Sequence, residues 1–313
     1  MGTASAETAK AEATPKVEVT PRILGMRDAF FEALFTEFQR DKRLVLLTAD
    51  NGAPTMDRFV AELPDRFVNV GIAEQQMLGM AAGMAVEGLR PYCYAIAPFV
   101  TIRVAEFVKL DLCAMNLPIC LLGVGAGYAY DIMGPSHHTV EDLTLMRVFP
   151  NLTIWSPADN ATAAALAPVT ARALGPSYIR FDRTGLRDLG PPPDSKVGLR
   201  VLLPGGPDAR VALVAVGVTA HTALEVATAL SSHGVVASVI EVFRPKPFPT
   251  AALLAVLGDT PVVTIEEHLL PGGFGSLVLE VLNDSGAVRP TLRVGQGERY
   301  VFDYGGRDVI WEK

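Results

Sequence analysis

The stretch Asn69-Val70-Gly71-Ile72-Ala73-Glu74-Gln75-Gln76-Met77 sets one acid between a short turn and a run of small and apolar residues that continues to Val86. The pattern predicts a buried, closely packed helix beginning near Glu74. A buried carboxylate is costly, but free N–H groups and the macrodipole at a helix start lower that cost. Glu74 is therefore either a plain helix-start acid or an acid in a partly apolar pocket, poised to share a proton with a ligand nitrogen. Gly134-Pro135-Ser136-His137-His138-Thr139-Val140-Glu141-Asp142 is the second dense polar patch. Two histidines are too few for a metal site, and a helix cap is the ordinary reading of such a loop. An imidazole there can nonetheless exchange protons with a bound group near neutral pH. Phe99, in Ala97-Pro98-Phe99-Val100, is a core phenylalanine by base rate, but its position after a strand also suits stacking on a ligand ring. Arg183 stands beside Asp182, where a surface ion pair is the plain reading.

The elements that must position these groups follow from periodicity. Met26, Phe30, Phe31, Leu34, Phe35 and Phe38 recur at three- and four-residue steps and predict one buried helical face. Leu44 to Leu47 reads as a buried strand ending at Thr48-Ala49-Asp50-Asn51-Gly52, which puts Asp50 at a carboxyl edge where open alpha/beta sheets bind ligands. Strands are predicted at Phe67 to Val70, Tyr92 to Ala97 (which includes Ile96), Ile119 to Val124, Thr153 to Trp155 and Tyr178 to Phe181, with an Ala-rich helix from Ala158 to Leu174. Proline and glycine clusters at 190–193 and 204–207 break the pattern and predict a linker. Strands at Val211 to Gly217, Val235 to Val242 and Pro261 to Glu266 then alternate with helices at Ala220 to Ser232, Ala251 to Leu257 and from the Gly272-Gly273 turn through Leu282. An anion could bind at that Gly-Gly helix start, but a packing turn is the preferred reading. His221, His233 and His268 read as structural or exposed. The expected fold class is α/β, two open, largely parallel sheets flanked by helices. The expected divisions are 1–20 as a disordered lead-in, 21–188 as the first domain, 189–209 as a linker and 210–313 as the second domain.

Composition narrows the function classes. A chain of 313 residues, half of them hydrophobic, can bury two real cores, and no run is long enough to span a membrane. A net charge of -7 without a basic stripe argues against nucleic acid. Cys93, Cys113 and Cys120 sit unpaired in apolar segments, as reduced core thiols of a cytoplasmic protein do. Gly123-x-Gly125-x-Gly127 fails the dinucleotide fingerprint, because Tyr128 stands where its third glycine belongs.

Gly71-Ile72-Ala73-Glu74-Gln75 with Gly79-Met80-Ala81-Ala82-Gly83-Met84-Ala85 resembles the signature of the transketolase pyrimidine-binding domain. Glu266-Glu267-His268 with Gly272-Gly273-Phe274-Gly275 resembles the transketolase C-terminal domain. The resemblance implies that Glu74 holds N1' of the aminopyrimidine of thiamine diphosphate, that Phe99 stacks on that ring, and that Asp50 and Ile96 complete the cofactor pocket. It implies His137 as the proton-handling histidine facing the substrate carbonyl. His138, Arg27 and Arg183 are implied as substrate-binding residues, the arginines for a sugar phosphate. Two departures stand out: Gly125 replaces a phosphate-binding histidine and Met133 replaces an aspartate that recognises a donor hydroxyl, which puts the donor and acceptor in question. The Gly-Asp-Gly motif that holds the diphosphate through Mg2+ is missing from the sequence. The expectation is thus one subunit of a split transketolase, completed by an N-terminal-half subunit carrying the Mg2+ site, with two copies of each. The alternatives are a deoxyxylulose-phosphate-synthase-like enzyme, a 2-oxoacid dehydrogenase beta subunit, or a catalytically silent interface partner.

Overall fold

The computed structural model describes residues 25–303 and 305–312, so the expected lead-in at 1–20 lies outside the described residues. The first domain opens on α1 (Met26–Arg40), whose six predicted apolar positions are all buried. Then follow β1 (Leu44–Thr48), α2 (Asp57–Glu62), β2 (Phe67–Asn69), α3 (Glu74–Val86), β3 (Arg90–Ile96) and a short α4 (Ala105–Phe107). Next come β4 (Cys120–Val124), α5 (Asp142–Arg147), β5 (Thr153–Trp155), α6 (Asn160–Ala171) and β6 (Ser177–Phe181). The six strands form one parallel sheet in the order β2-β1-β3-β4-β6-β5. Every residue of β1, β4 and β6 is buried, as strands covered by helices on both faces require. The chain leaves β1 toward β2 on one side and returns to β3 on the other, so the strand order reverses between β1 and β3. The crevice at such a reversal is where open sheets of this kind bind ligands.

α3 departs from the expected all-round burial. Met77, Leu78, Ala81, Ala82 and Ala85 are covered, while Gln75, Gln76, Gly79, Gly83 and Val86 are exposed. Small residues hide this from a periodicity argument, because alanine and glycine suit either face.

The second domain contains β7 (Arg200–Leu203), β8 (Val211–Ala215), α7 (Thr219–Ser232), β9 (Ala237–Glu241), α8 (Thr250–Leu257), β10 (Val262–Leu269), α9 (Phe274–Asp284), β11 (Thr291–Gln296) and α10 (Arg307–Trp311). Its sheet order is β11-β10-β8-β9-β7, parallel except for the antiparallel edge pair of β7 with β9. β7 lies inside the stretch 189–209 that was expected to be linker. Prolines exclude a central strand, but an edge strand needs only one paired side. No described helix is long and apolar enough to cross a membrane.

The domains share one continuous core, in which Met77, Leu78 and Met146 belong to the same buried cluster as Val214, Ile240 and Phe274. Polar contacts pin the seam. Asp142, at the first turn of α5 and fully buried, accepts from Tyr178 Oη at 2.7 Å and from Arg180 at 2.7 and 3.0 Å. His268 of the second domain accepts from Leu143 N through Nε2 at 3.1 Å, which leaves Nδ1 to donate to Leu269 O at 2.9 Å. Burial pushes this imidazole down to about 4, so it is neutral at pH 7, and its closeness to Asp142 is a dipolar contact rather than an ion pair. Arg200 bridges the domains by reaching both Asp159 at 2.9 Å and Glu241 at 2.6 Å.

Breaking a buried pair by removing one partner leaves an uncompensated charge. Arg180→Met is expected to lower the unfolding free energy by about 3–5 kcal/mol in urea denaturation, and Arg180→Met combined with Asp142→Leu to recover most of that loss. A single-variant loss below about 1 kcal/mol would contradict this account of the seam.

Candidate functional site

Glu74 is set by the turn that precedes it. The Asn69 Oδ1 accepts from Asp50 N and Gly71 N, both at 3.0 Å, tying the end of β1 to the entrance of α3. Gly71 has φ +74°, a conformation that a side chain resists. The chain then enters α3 with no side-chain cap, and Glu74, its first residue, is only 3 % exposed. Its carboxylate accepts from Arg103 Nη1 at 2.8 Å.

Arg103 also lies over Phe99, with its guanidinium carbon 3.9 Å from the ring centroid. Phe99 follows β3 in a turn where Phe99 N and Val100 N both donate to Ile96 O. Thr101 fixes the same turn, its hydroxyl donating to Ala97 O at 2.6 Å. His137 meets the edge of Phe99 at 5.5 Å between centroids, and its Nδ1 is 3.0 Å from Ser136 Oγ. The structure thus gathers Glu74, Phe99 and His137 at the carboxyl edge of the first sheet, joined by a residue that sequence reasoning missed. Arg103 gave no signal, since it is one basic residue in an apolar segment and its partner lies 29 positions away.

The other predicted residues sort differently. Ile96 is half-buried at the end of β3, against the core on the α1 side. Asp50 is exposed and is held by Asn69 Nδ2 at 3.2 Å, at the β1–β2 side of the edge. Arg27 is already engaged by Asp28 through Nε and Nη2 at 3.0 and 3.2 Å, and by the Tyr94 hydroxyl. Arg183 stacks on the Tyr130 ring at 4.9 Å. His138 contributes to a cleft wall yet is 4 % exposed, packed edge-on against Tyr128 at 4.9 Å; burial lowers its proton affinity. At the second domain's Gly-Gly turn, the acceptor is the chain's own carboxyl group, whose proton affinity burial raises. Glu266 accepts from Phe274 N at 2.5 Å and Gly275 N at 2.7 Å at the start of α9.

Tyr130 also went unread, and it explains one departure. Gly125 has φ +98°, and a Cβ there would overlap the Tyr130 ring. The ring takes that space and meets His137 at 5.9 Å as well as Arg183. Met133 is exposed nearby in the sequence, after the Tyr130 turn. Two clefts border the site. One, of about 650 Å3, is lined by Phe99, Arg103, His138, Glu141, Tyr300 and Phe302 among others; the second, of about 570 Å3, is lined by Glu74, Gln76, Gly79, Arg103 and Phe107 among others. Arg103 stands between them.

Comparison with known proteins gives this arrangement a context. Residues 23–188 match the model of the transketolase pyrimidine binding domain, and residues 204–301 match that of the transketolase C-terminal domain. The chain is 36 % identical over 232 residues to a subunit of the apulose-4-phosphate transketolase of Actinobacillus succinogenes, covering 73 % of this chain and 74 % of that one. It is 36 % identical over 285 residues to 1-deoxy-D-xylulose-5-phosphate synthase of Thermomicrobium roseum, covering 89 % of this chain but only 44 % of that protein. Among solved structures, one described as a split gene transketolase in an inactive beta4 tetramer superposes with a TM-score of 0.80 at 33 % identity, covering 92 % of this chain and 93 % of that one.

Burial, aided by the Arg103 cation, lowers the proton affinity of His137. The imidazole is therefore expected to titrate below the ordinary value of about 6.5 and to be mostly neutral at pH 7. Histidine NMR titration is expected to show this, with Arg103→Gln moving the midpoint upward. A midpoint above 6.5 in the unaltered chain would contradict the geometry.

Proposed function

This chain belongs to the transketolase family, and from that premise we propose that it is the pyrimidine-binding subunit of a split, thiamine diphosphate-dependent transketolase moving a two-carbon ketol unit from a phosphorylated ketose to an aldehyde. The observation that carries this reading is the convergence of a buried carboxylate, Glu74, and an aromatic face, Phe99, on one shared planar group. That pair fits an aminopyrimidine, which needs an acid at a ring nitrogen and a flat apolar surface beneath it. When bound, thiamine diphosphate supplies the nucleophilic carbon that breaks and remakes a carbon–carbon bond.

The protein's part is to hold, orient and protonate. Glu74 holds a proton at the ring nitrogen, from a helix start whose N–H groups and dipole favour its charge. Phe99 forms the apolar face of the pocket, whereas Ile96 and Asp50 line neither of the two clefts. His137, mostly neutral at pH 7, accepts or returns a proton at a substrate oxygen. Arg183 is the better phosphate candidate, since Arg27 is committed to Asp28. The sugar of the apulose-4-phosphate relative ends in a phosphate, which supports an anion-reading end of the channel. Tyr130, filling the space above Gly125, narrows that channel and changes which ketose fits.

The sequence lacks Gly-Asp-Gly, so we assign Mg2+ and the diphosphate to a partner subunit carrying that motif, in an assembly with two copies of each chain. A relative described as a subunit, and a solved relative described as inactive when tetrameric on its own, both support the need for a partner. The buried, unpaired cysteines support a cytoplasmic setting. A deoxyxylulose-phosphate-synthase-like condensation is the second reading, supported by 36 % identity to such a synthase; use of a 2-oxoacid donor with release of carbon dioxide would mark it.

Glu74→Gln keeps size and shape but removes the exchangeable proton. In the assembled complex this variant is expected to retain its circular dichroism spectrum and to lose turnover roughly 100-fold or more in a ketose-to-aldehyde transfer assay. A normally active Glu74→Gln complex would sink the assignment.

A further inference from the structure

We propose that Arg103 is an internal competitor for the cofactor's pyrimidine ring, occupying its two recognition surfaces together until the ring displaces it. The inference rests on the pyrimidine-subunit reading and adds a residue to it. Arg103 Nη1 lies 2.8 Å from the Glu74 carboxylate, and its guanidinium carbon lies 3.9 Å above the Phe99 ring. A guanidinium is planar, carries N–H donors at its edge and stacks on aromatic faces. An aminopyrimidine has the same layout, a flat body with polar nitrogens at its rim. A separation of 3.9 Å from Phe99 leaves room for one planar layer, so the two groups exclude each other.

Holding Arg103 there has a physical reason. Glu74 is 3 % exposed, and among the described residues Arg103 supplies its counter-charge within salt-bridge distance. Without a partner at that carboxylate the helix start would bury an uncompensated acid. The Arg103 side chain is itself 42 % exposed and borders both clefts, so its head can leave for solvent without disturbing the core. Phe99 and Glu74 are thus kept in place by a removable stand-in of the ligand's shape. Part of the affinity of the site for the ring is spent on displacing it.

The test is calorimetric titration of thiamine diphosphate with Mg2+ into the assembled complex of this chain and its Gly-Asp-Gly-bearing partner. Unaltered protein is compared with Arg103→Ala and Arg103→Gln, and circular dichroism and size-exclusion chromatography report on folding and assembly. Arg103→Ala is expected to bind about ten-fold tighter, and Arg103→Gln, which keeps a donor for Glu74 but loses the charge and the stacked fork, to fall between. As a second readout, the hydrogen-bonded Arg103 Nη–H resonance of the unaltered complex, assigned by its loss in Arg103→Gln, is expected to lose its protection from solvent exchange when cofactor is added. An unaltered complex that binds while both variants bind equally or more weakly overturns the inference alone, marking Arg103 as a bystander or a direct cofactor contact. An Arg103→Ala chain that fails to fold shifts the decision to Arg103→Gln and the resonance. An unaltered complex that binds no thiamine diphosphate overturns the functional reading and this inference with it.

Discussion

A carboxylate without water needs its lone pairs filled, and Asp142 meets that need with groups drawn from different parts of the chain. Tyr178 and Arg180 of β6 supply three hydrogen bonds to it, while His268 of β10 caps the neighbouring N–H of Leu143. The hub fixes the start of α5 against the central sheet and against the second domain at once. The loop carrying His137 and His138 ends at that helix, so its downstream anchor is this buried charge. The first sheet holds that anchor through Tyr178 and Arg180, and the second domain adds the His268 contact to the same helix start. The second domain thus buttresses the helix start that follows the histidine loop, although it contributes none of the groups assigned to the pyrimidine.

The upstream half of the site depends on the reversal of strand order. Because β1 and β3 are neighbours whose connections leave in opposite directions, the end of β3 opens into a crevice rather than under a crossing helix. Phe99 emerges there, and the Asn69 clamp brings the start of α3 to the same edge. Tyr130 then joins the two halves by touching His137 on one side and Arg183 on the other. Read from sequence, Gly125 was the loss of a cation. In the structure it is the clearance that lets this aromatic ring lie between His137 and Arg183.

What the sequence disclosed tracks the kind of force involved. Strands with continuous apolar runs, β1, β4 and β8, were recognisable because burial on both faces leaves a local signature. β7 and β11 were not, since their residues alternate between partly buried and exposed and lie beside prolines or arginines. Glu74, Phe99 and His137 were singled out through their resemblance to a known pattern, and the structure brings them together. The groups that hold them, Arg103, Tyr130, Asn69 and the Asp142 hub, act through partners up to 125 positions apart, and no short motif encodes such a pairing. His138, which the resemblance implies for the substrate, packs on Tyr128 and also lines the cleft beside Phe99.

The central claim is that this chain carries the pyrimidine half of a cofactor site whose diphosphate half lies on a second, different chain. Calorimetric titration of thiamine diphosphate with Mg2+, first into this chain alone and then into its mixture with a partner bearing Gly-Asp-Gly, tests it most directly. The account predicts a saturable heat in the mixture and none with the isolated chain. Tight binding to the isolated chain would contradict it, because the diphosphate site would then lie within these residues.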